Sequence, residues 1–425
     1  MKSATGLAAR RRVALLVGCL GFASLALLTL VLSADATPTY GRRLFGLWRM
    51  RDVVLAGALF VVAGGFLAAA ASRHALLAFV AAGMGVGGTF AMLEAAGALG
   101  LVSWPALLAP RASELGTRPV PHLDVAGTTF QDTASRWGLP SDPMPFRYRT
   151  DRHGFRNDID RAHSDVYLLG DSVLVSVLVP FPQTVAPRLE GTIGRPVMQV
   201  ALIGKSAQEV QQLFRDAGVE VRGRLVIQFV FEGNDLRDSK RFREGATGAA
   251  PASFAERTLT QQLVLALQRL TQPVAGAAAL RTCTVGDQTY TFLWEREAFA
   301  GVEGEATVVS DSLLRFGAEI RAAGGEFGVV FVPTKLRILG PLCRFPAGSA
   351  LADLASHLGP LRDHLRAWSE RSGVKLLDLT EPLLGAARMG RIPWFWGDTH
   401  WNAEGHAVAA EALAAWEPLR KLRVR

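Results

Sequence analysis

Two kinds of apolar pattern divide the chain. Residues 13–33, "VALLVGCLGFASLALLTLVLS", run for 21 positions without a charge. The stretches 53–72 and 75–102 follow, with Glu94 as their one acid. About 20 apolar residues cross a hydrocarbon core as a helix, so three transmembrane helices are expected within residues 1–104. After residue 160 the runs become short: "DVYLLG" (165–170), "VMQVALIG" (197–204), "RLVIQFVF" (224–231), "FGVVFVP" (327–333) and "VKLLDL" (374–379). They lack polar alternation, as parallel strands buried on both faces do. Helical segments lie between them: "TVAPRLEGTI", "SAQEVQQLFRDAG", "DSLLRFGAEIRAAG" and "LGPLRDHLRAWSERSG". This alternation predicts a layered α/β domain over 161–425 with a five-stranded parallel sheet.

The remaining stretches are read by composition. Residues 105–160 are rich in proline and polar residues, and read as a linker approaching the domain. Residues 238–310 exceed the length of one crossover and predict an insertion or lid.

Charge complicates the membrane topology. Lys2, Arg10, Arg11 and Arg12 argue for a cytoplasmic N-terminus, so that three crossings leave the C-terminal part outside. Arg42, Arg43, Arg49 and Arg51, in the loop after the first span, argue the other way. Two readings reconcile them: "YGRRLFGLWRMRD" lies along the interface with Phe45 and Trp48 down, or "SADA" (33–36) is a cleavage site and the first span a signal peptide. Either favours a multi-pass protein of the inner (cytoplasmic) membrane whose C-terminal domain is periplasmic or extracellular. The net charge of +8 comes without a nucleic-acid type basic run beyond the membrane flanks. Cys19 falls in a span. Outside the cytoplasm Cys283 and Cys343 can pair; as two buried thiols they need not. No Cys/His spacing suits zinc.

The strand ends carry the chemistry. The first run stops at Gly170-Asp171-Ser172, the second at Gly204 and the third at Gly233-Asn234-Asp235; "WFWGDTHWNAEGH" follows the fifth. In open α/β sheets ligands bind at the carboxyl ends of strands. Ser172 there can be a nucleophile, His400 the base that takes its proton, and Asp398 the acid that orients the base. The Ser172 and Gly204 amides and the Asn234 carboxamide can serve an oxyanion. Each piece alone also reads as a turn, a loop or a helix cap. His153 and His163 read as surface groups, and His406 as packing for the last helix. Lys335 and Arg337 read as solvated or as contacts for an anionic substrate. Trp394, Phe395, Trp396 and Trp401 read as core or as sugar-stacking rings.

Taken in order, these blocks resemble the SGNH, or GDSL-like, hydrolase superfamily, with Ser172, Gly204, Asn234 and His400 as its four namesakes. "TDRHGFRNDI" upstream extends the resemblance to membrane-anchored bacterial members across roughly 145–410. The "DTHWN" ending is similar to relatives that acetylate alginate and other envelope polysaccharides. The resemblance implies a flavodoxin-like three-layer α/β/α fold and a serine esterase or O-acyltransferase without metal or cofactor. Its substrates would be acylated envelope glycans or glycolipids, and its partners the bilayer and a membrane acyl-donor protein. The other reading is an inactive envelope scaffold or glycan-binding protein. Many members carry the acid three residues before the histidine; here Gly397 stands there, and Asp398 follows the two-residue spacing of the acetylating relatives. The second block lacks the usual asparagine before its glycine, and Lys205 follows where an aromatic residue is common.

Overall fold

A computed structural model describes residues 2–33, 43–44, 48–99, 101, 116, 119–136, 139, 141–245, 259, 281–292, 302, 304–356 and 358–424. It divides into two compact units, a helical one of residues 1–109 with 251–275 and an α/β one of residues 110–250 with 276–425.

The helical unit holds α1 (Lys2–Ser33), α2 (Met50–Ala71) and α3 (Arg73–Ala98). The segments Arg11–Leu30 and Arg73–Gly97 are long and apolar enough to cross a membrane; the apolar part of α2, Leu55–Ala71, is shorter. Helices α1 and α2 run antiparallel. Near the start of α1, the Arg12 guanidinium donates to the carbonyls of Ala70 (2.7 Å) and Ala71 (2.8 Å), which end α2. Those carbonyls have no acceptor role left inside their helix, and a cation there also suits its dipole. Phe22 stacks on Phe66 at 5.5 Å midway. Ser72 alone separates α2 from α3 and caps the latter by accepting from the Ala75 amide. The third helix ends at Ala98, short of the expected 102. "SADA" beyond Ser33, with Arg42 and Phe45, lies outside the described residues.

Around the hairpin strands β1 (Asp124–Thr129), β2 (Met144–Arg149), β6 (Thr282–Val285) and β7 (Gln288–Thr291), the α/β unit is built on β3 (Val166–Gly170), β4 (Val197–Ala201), β5 (Leu225–Phe231), β8 (Glu326–Val332) and β9 (Lys375–Asp378). All pair in parallel in the order β9-β8-β5-β3-β4. Numbered along the chain this is 2-1-3-4-5, the flavodoxin-like winding that the resemblance implied. Successive side chains feed opposite faces. Val166, Leu168, Ile227 and Val330 join one core cluster, while Tyr167, Leu169, Val226 and Val329 join the other. Both faces are covered, which explains the unbroken apolar runs.

Helix α6 (Val185–Ile193) and α14 (Ala403–Ala415) pack on the first face. Helices α7 (Ala207–Asp216), α9 (Glu305–Ala322) and α12 (Leu361–Ser372) pack on the second. A capping box starts α7: the Ser206 hydroxyl accepts from the Glu209 amide and the Glu209 carboxylate accepts from the Ser206 amide.

The stretch 105–160 departs from the linker expectation. Its described part forms an antiparallel hairpin, β1 (Asp124–Thr129) with β2 (Met144–Arg149), and a short helix α4 (Asp132–Arg136) between them. Of the described prolines, Pro119, Pro121 and Pro143 flank these strands and Pro145 is an exposed position of β2. The stretch 238–310 is likewise only partly described. It contains a second hairpin, β6 (Thr282–Val285) with β7 (Gln288–Thr291), and the start of α9. A lid over 246–258, 260–280 or 293–301 falls outside the described residues. Cys283 of β6 is disulfide-bonded to Cys343, with a Cα–Cα distance of 5.5 Å. Reciprocal backbone bonds between Thr284 and Arg344 (3.0 and 2.8 Å) join the same segments.

Candidate active site

Ser172 opens a four-residue helix, α5 (Ser172–Val175), directly after β3. Asp171 caps it, its carboxylate accepting from the Val173 amide at 3.0 Å. The helix stops at Ser176, whose φ of 40° is left-handed. The upstream "TDRHGFRND" block secures this turn. Buried Arg156 donates to the carbonyls of Val175 (2.6 Å), Ser176 (2.6 Å) and Val179 (2.9 Å), which follow the serine. Burial holds this guanidinium down to about 10. Asp151 accepts from the His153 and Phe155 amides and from Asn157, and Asn157 bonds both backbone groups of Gln199 in β4. The block is therefore a brace between the serine turn and the sheet.

Gly204 follows β4 with φ +68°, a conformation that an L side chain adopts only at a cost of about 1–2 kcal/mol. Asn234 follows β5 and directly precedes α8 (Asp235–Arg243), making no side-chain bond to that helix's first amides. His400 and Asp398 lie on the loop before α14. Ser172, Gly204, Asn234 and His400 line one cavity of about 270 Å³, together with Phe231, Phe292 and the side chains of Arg237 and Arg241.

The His400 Nδ1 sits 2.6 Å from Asp398 Oδ1. A carboxylate only accepts, so Nδ1 carries the proton and Nε2 is left as the basic nitrogen. Burial pulls the imidazolium down, but the charges of Asp398, Asp132 and Asp171 and the Asp398 hydrogen bond outweigh it, raising it to about 9. Burial likewise pushes the Asp398 carboxyl up, and the His400 charge and hydrogen bonds return it below the ordinary value. Asp171, closed off from water, is raised to about 6.

Of the expected oxyanion donors, Asn234 is engaged within the protein. Its Nδ2 donates to the buried Asp238 carboxylate at 2.6 Å, which also accepts from Arg241 at 3.0 Å. At the opening of α5 the Val173 amide donates to the Asp171 carboxylate and the Leu174 and Val175 amides to the Asp171 carbonyl, both 3.2 Å away.

Lys335, read from sequence as solvated or as a contact for an anionic substrate, is buried at 3% exposure. It opens α10 (Lys335–Leu339), and its ammonium shares three protons among the carbonyls of Thr291, Phe395, Trp396 and Asp398, 2.8–3.1 Å away. The Tyr290 and Phe292 rings flank it at 5.2 and 5.4 Å. Arg337 is not solvated either: it pairs with buried Glu232, which also accepts from Thr334 and so ties the end of β5 to the end of β8. Trp394 and Trp401 pack in the core, ring to ring at 6.5 Å. His406 is fully buried edge-on to Trp401, and burial pulls it down to about 3, so it stays neutral. His163 is exposed and His153 half-buried.

Asp132 carried no signal in the sequence, yet it lines the cavity. Helix α4 lies along the 397–399 loop. Gly397 donates to Gln131 Oε1 (2.8 Å) and accepts from the Ala134 amide (2.9 Å). A Cβ at Gly397 would fall 2.7 Å from that of Ala134, so only glycine permits this approach. The carboxylates of Asp132 and Asp398 and the His400 ring cluster within 4.8 Å. Asp398 accepts from the Asp132 amide and pairs with His400, and Asp132 accepts from the Thr399 amide.

The sheet order, and the four strand-end loops meeting at one cavity, agree with the arrangement that the resemblance to the SGNH superfamily implied. No protein-family model matches the chain, and no curated relative does. Similar solved structures include a GDSL-like lipase from Bacteroides thetaiotaomicron VPI-5482, 10% identical over 60% of this chain and 87% of that one, with TM-score 0.32. Phospholipase A1 from Streptomyces albidoflavus NA297 is 14% identical over 59% and 99%, with TM-score 0.36. The acetyl xylan esterase AlAXEase is 10% identical over 59% and 98%, with TM-score 0.34.

Proposed function

We propose that the chain is a membrane-anchored serine ester hydrolase or O-acyltransferase acting on O-acyl groups, acetyl foremost, of envelope glycans or glycolipids. The observation that carries this is the convergence of Ser172, Gly204, Asn234 and His400, from four separate loops, on one cavity, with His400 bound to Asp398. In this reading His400 Nε2 takes the Ser172 proton as the hydroxyl attacks the acyl carbon. The Ser172 and Gly204 amides and the second Asn234 amide proton stabilise the oxyanion, each donor contributing about 3–4 kcal/mol. The imidazolium then protonates the departing alcohol, leaving an acyl-enzyme on Ser172. Water or a glycan hydroxyl, deprotonated by the same nitrogen, takes the acyl group and restores the serine. The apolar helices Arg11–Leu30 and Arg73–Gly97 support anchoring in the bilayer. With α1 and α2 antiparallel, the N-terminus and the turn at Ser72 would share one side of it.

The test compares wild type with Ser172→Ala on a chromogenic acetyl ester and a serine-reactive phosphonate. Wild type should be labelled on the Ser172 peptide and the variant should not; equal labelling and turnover of both would end the enzyme reading. Mass spectrometry of an acylated Ser172 peptide would name the transferred group.

A further inference from the structure

Asp132 belongs to none of the four strand-end blocks and precedes the sheet altogether, yet it grips the loop bearing Asp398 and His400. Its backbone amide donates to Asp398 Oδ2 at 2.7 Å. Its Oδ1 accepts from the Thr399 amide at 2.9 Å, and its Oδ2 from the Thr399 hydroxyl. That same Oδ2 stands 3.9 Å from His400 Nδ1. The imidazole therefore faces two carboxylates. Within α4, Oδ1 also accepts from the Thr133 amide at 2.5 Å. The other contacts all point to the loop.

Resting on the reading of Ser172 and His400 as nucleophile and base, we propose that Asp132 is a positioning residue of the hydrolytic unit: a second carboxylate that fixes the 398–400 loop and helps stabilise the imidazolium formed when Ser172 loses its proton. Asp398 takes the ring proton, and Asp132 holds the backbone and the rear oxygen of Asp398 so that this bond keeps its direction. An opposite charge within about 4–6 Å favours the charged form of a titrating group by one unit or more. The other groups facing the ring are Asp171 after β3, the Lys335 ammonium on the Asp398 carbonyl, and neutral His406 behind it; Arg237, Asp238 and Arg241 of α8 lie across the cavity.

The experiment measures kcat and KM for an acetyl ester from pH 5 to 10, using the full chain in detergent micelles. Asp132→Asn keeps size and backbone amide but removes the charge. Its acid limb of kcat/KM should move to lower pH by about one unit, and kcat should fall about tenfold with KM within twofold. Asp132→Ala also loses the Thr399 anchor and should lose more kcat, while Asp132→Glu should return the limb toward wild type. A limb unmoved in both Asp132→Asn and Asp132→Ala overturns the proposal, as does a loss confined to KM. Ser172→Ala separates the two levels. If it is inactive while the limb is unmoved, only the role of Asp132 fails; if it is as active as wild type, the enzyme reading fails with it.

Discussion

Replacing Lys335 by methionine removes the ammonium at the centre of four carbonyl contacts while keeping the side chain's length and volume. The Trp396 carbonyl would still accept from the Thr291 amide (2.9 Å) and hydroxyl (3.2 Å). The carbonyls of Thr291, Phe395 and Asp398 lose this donor. Each buried acceptor left alone costs about 1–3 kcal/mol. Part of the sum is offset because a buried cation no longer has to be desolvated. A net loss of about 2–4 kcal/mol results, large against the roughly 5–15 kcal/mol that hold a domain folded. For a domain of this size that lowers the melting temperature by about 10 °C. Thermal unfolding of the full chain in micelles, followed by tryptophan fluorescence, reads it, because Trp394, Trp396 and Trp401 sit on or beside the clamped loop. Ester turnover measured well below the melt should fall as well, since Asp398 is one of the clamped residues. A variant that melts within about 1 °C of wild type and keeps its turnover would refute the clamp.

With the imidazolium raised to about 9, kcat/KM should climb through neutrality and level off near pH 9. Asp398→Asn, by removing the nearest anion, should move that rise to lower pH while cutting the rate; a wild-type profile already flat at pH 7 contradicts this. The Cys283–Cys343 bridge spans 60 residues of sequence, so its reduction should destabilise the α/β unit by up to about 4 kcal/mol. Thermal melts with and without dithiothreitol check it, and identical curves would refute it.

The five sheet strands are legible in the sequence because burial on both faces leaves unbroken apolar runs. Ser172, Gly204 and Asn234 are legible for a related reason, since a polar or glycine residue just past such a run has few places to go but the sheet's carboxyl edge. The hairpin of 124–149 is not legible. Its strands are short and edge-like, and β1 shows no alternation, with burial confined to half-covered positions. Asp132 is invisible for the same reason: its partners stand 266 and 267 positions away, and no spacing encodes them. Lys335 misleads in the opposite direction. A lysine after a strand is usually solvated, and only the fold brings a ring of backbone oxygens around it. Cys283 and Cys343 left pairing open in the sequence, because distance in space rather than spacing decides a bridge.

The grip of residues 131–134 on residues 397–399 joins stretches from opposite ends of the α/β unit. A nascent chain that has released Ser172 from the ribosome still lacks the imidazole, and the brace waiting for that imidazole has nothing to hold. On the proposed reading, synthesis is thus almost finished before the Ser172 hydroxyl meets its base, and a polypeptide truncated ahead of residue 398 would turn over no ester.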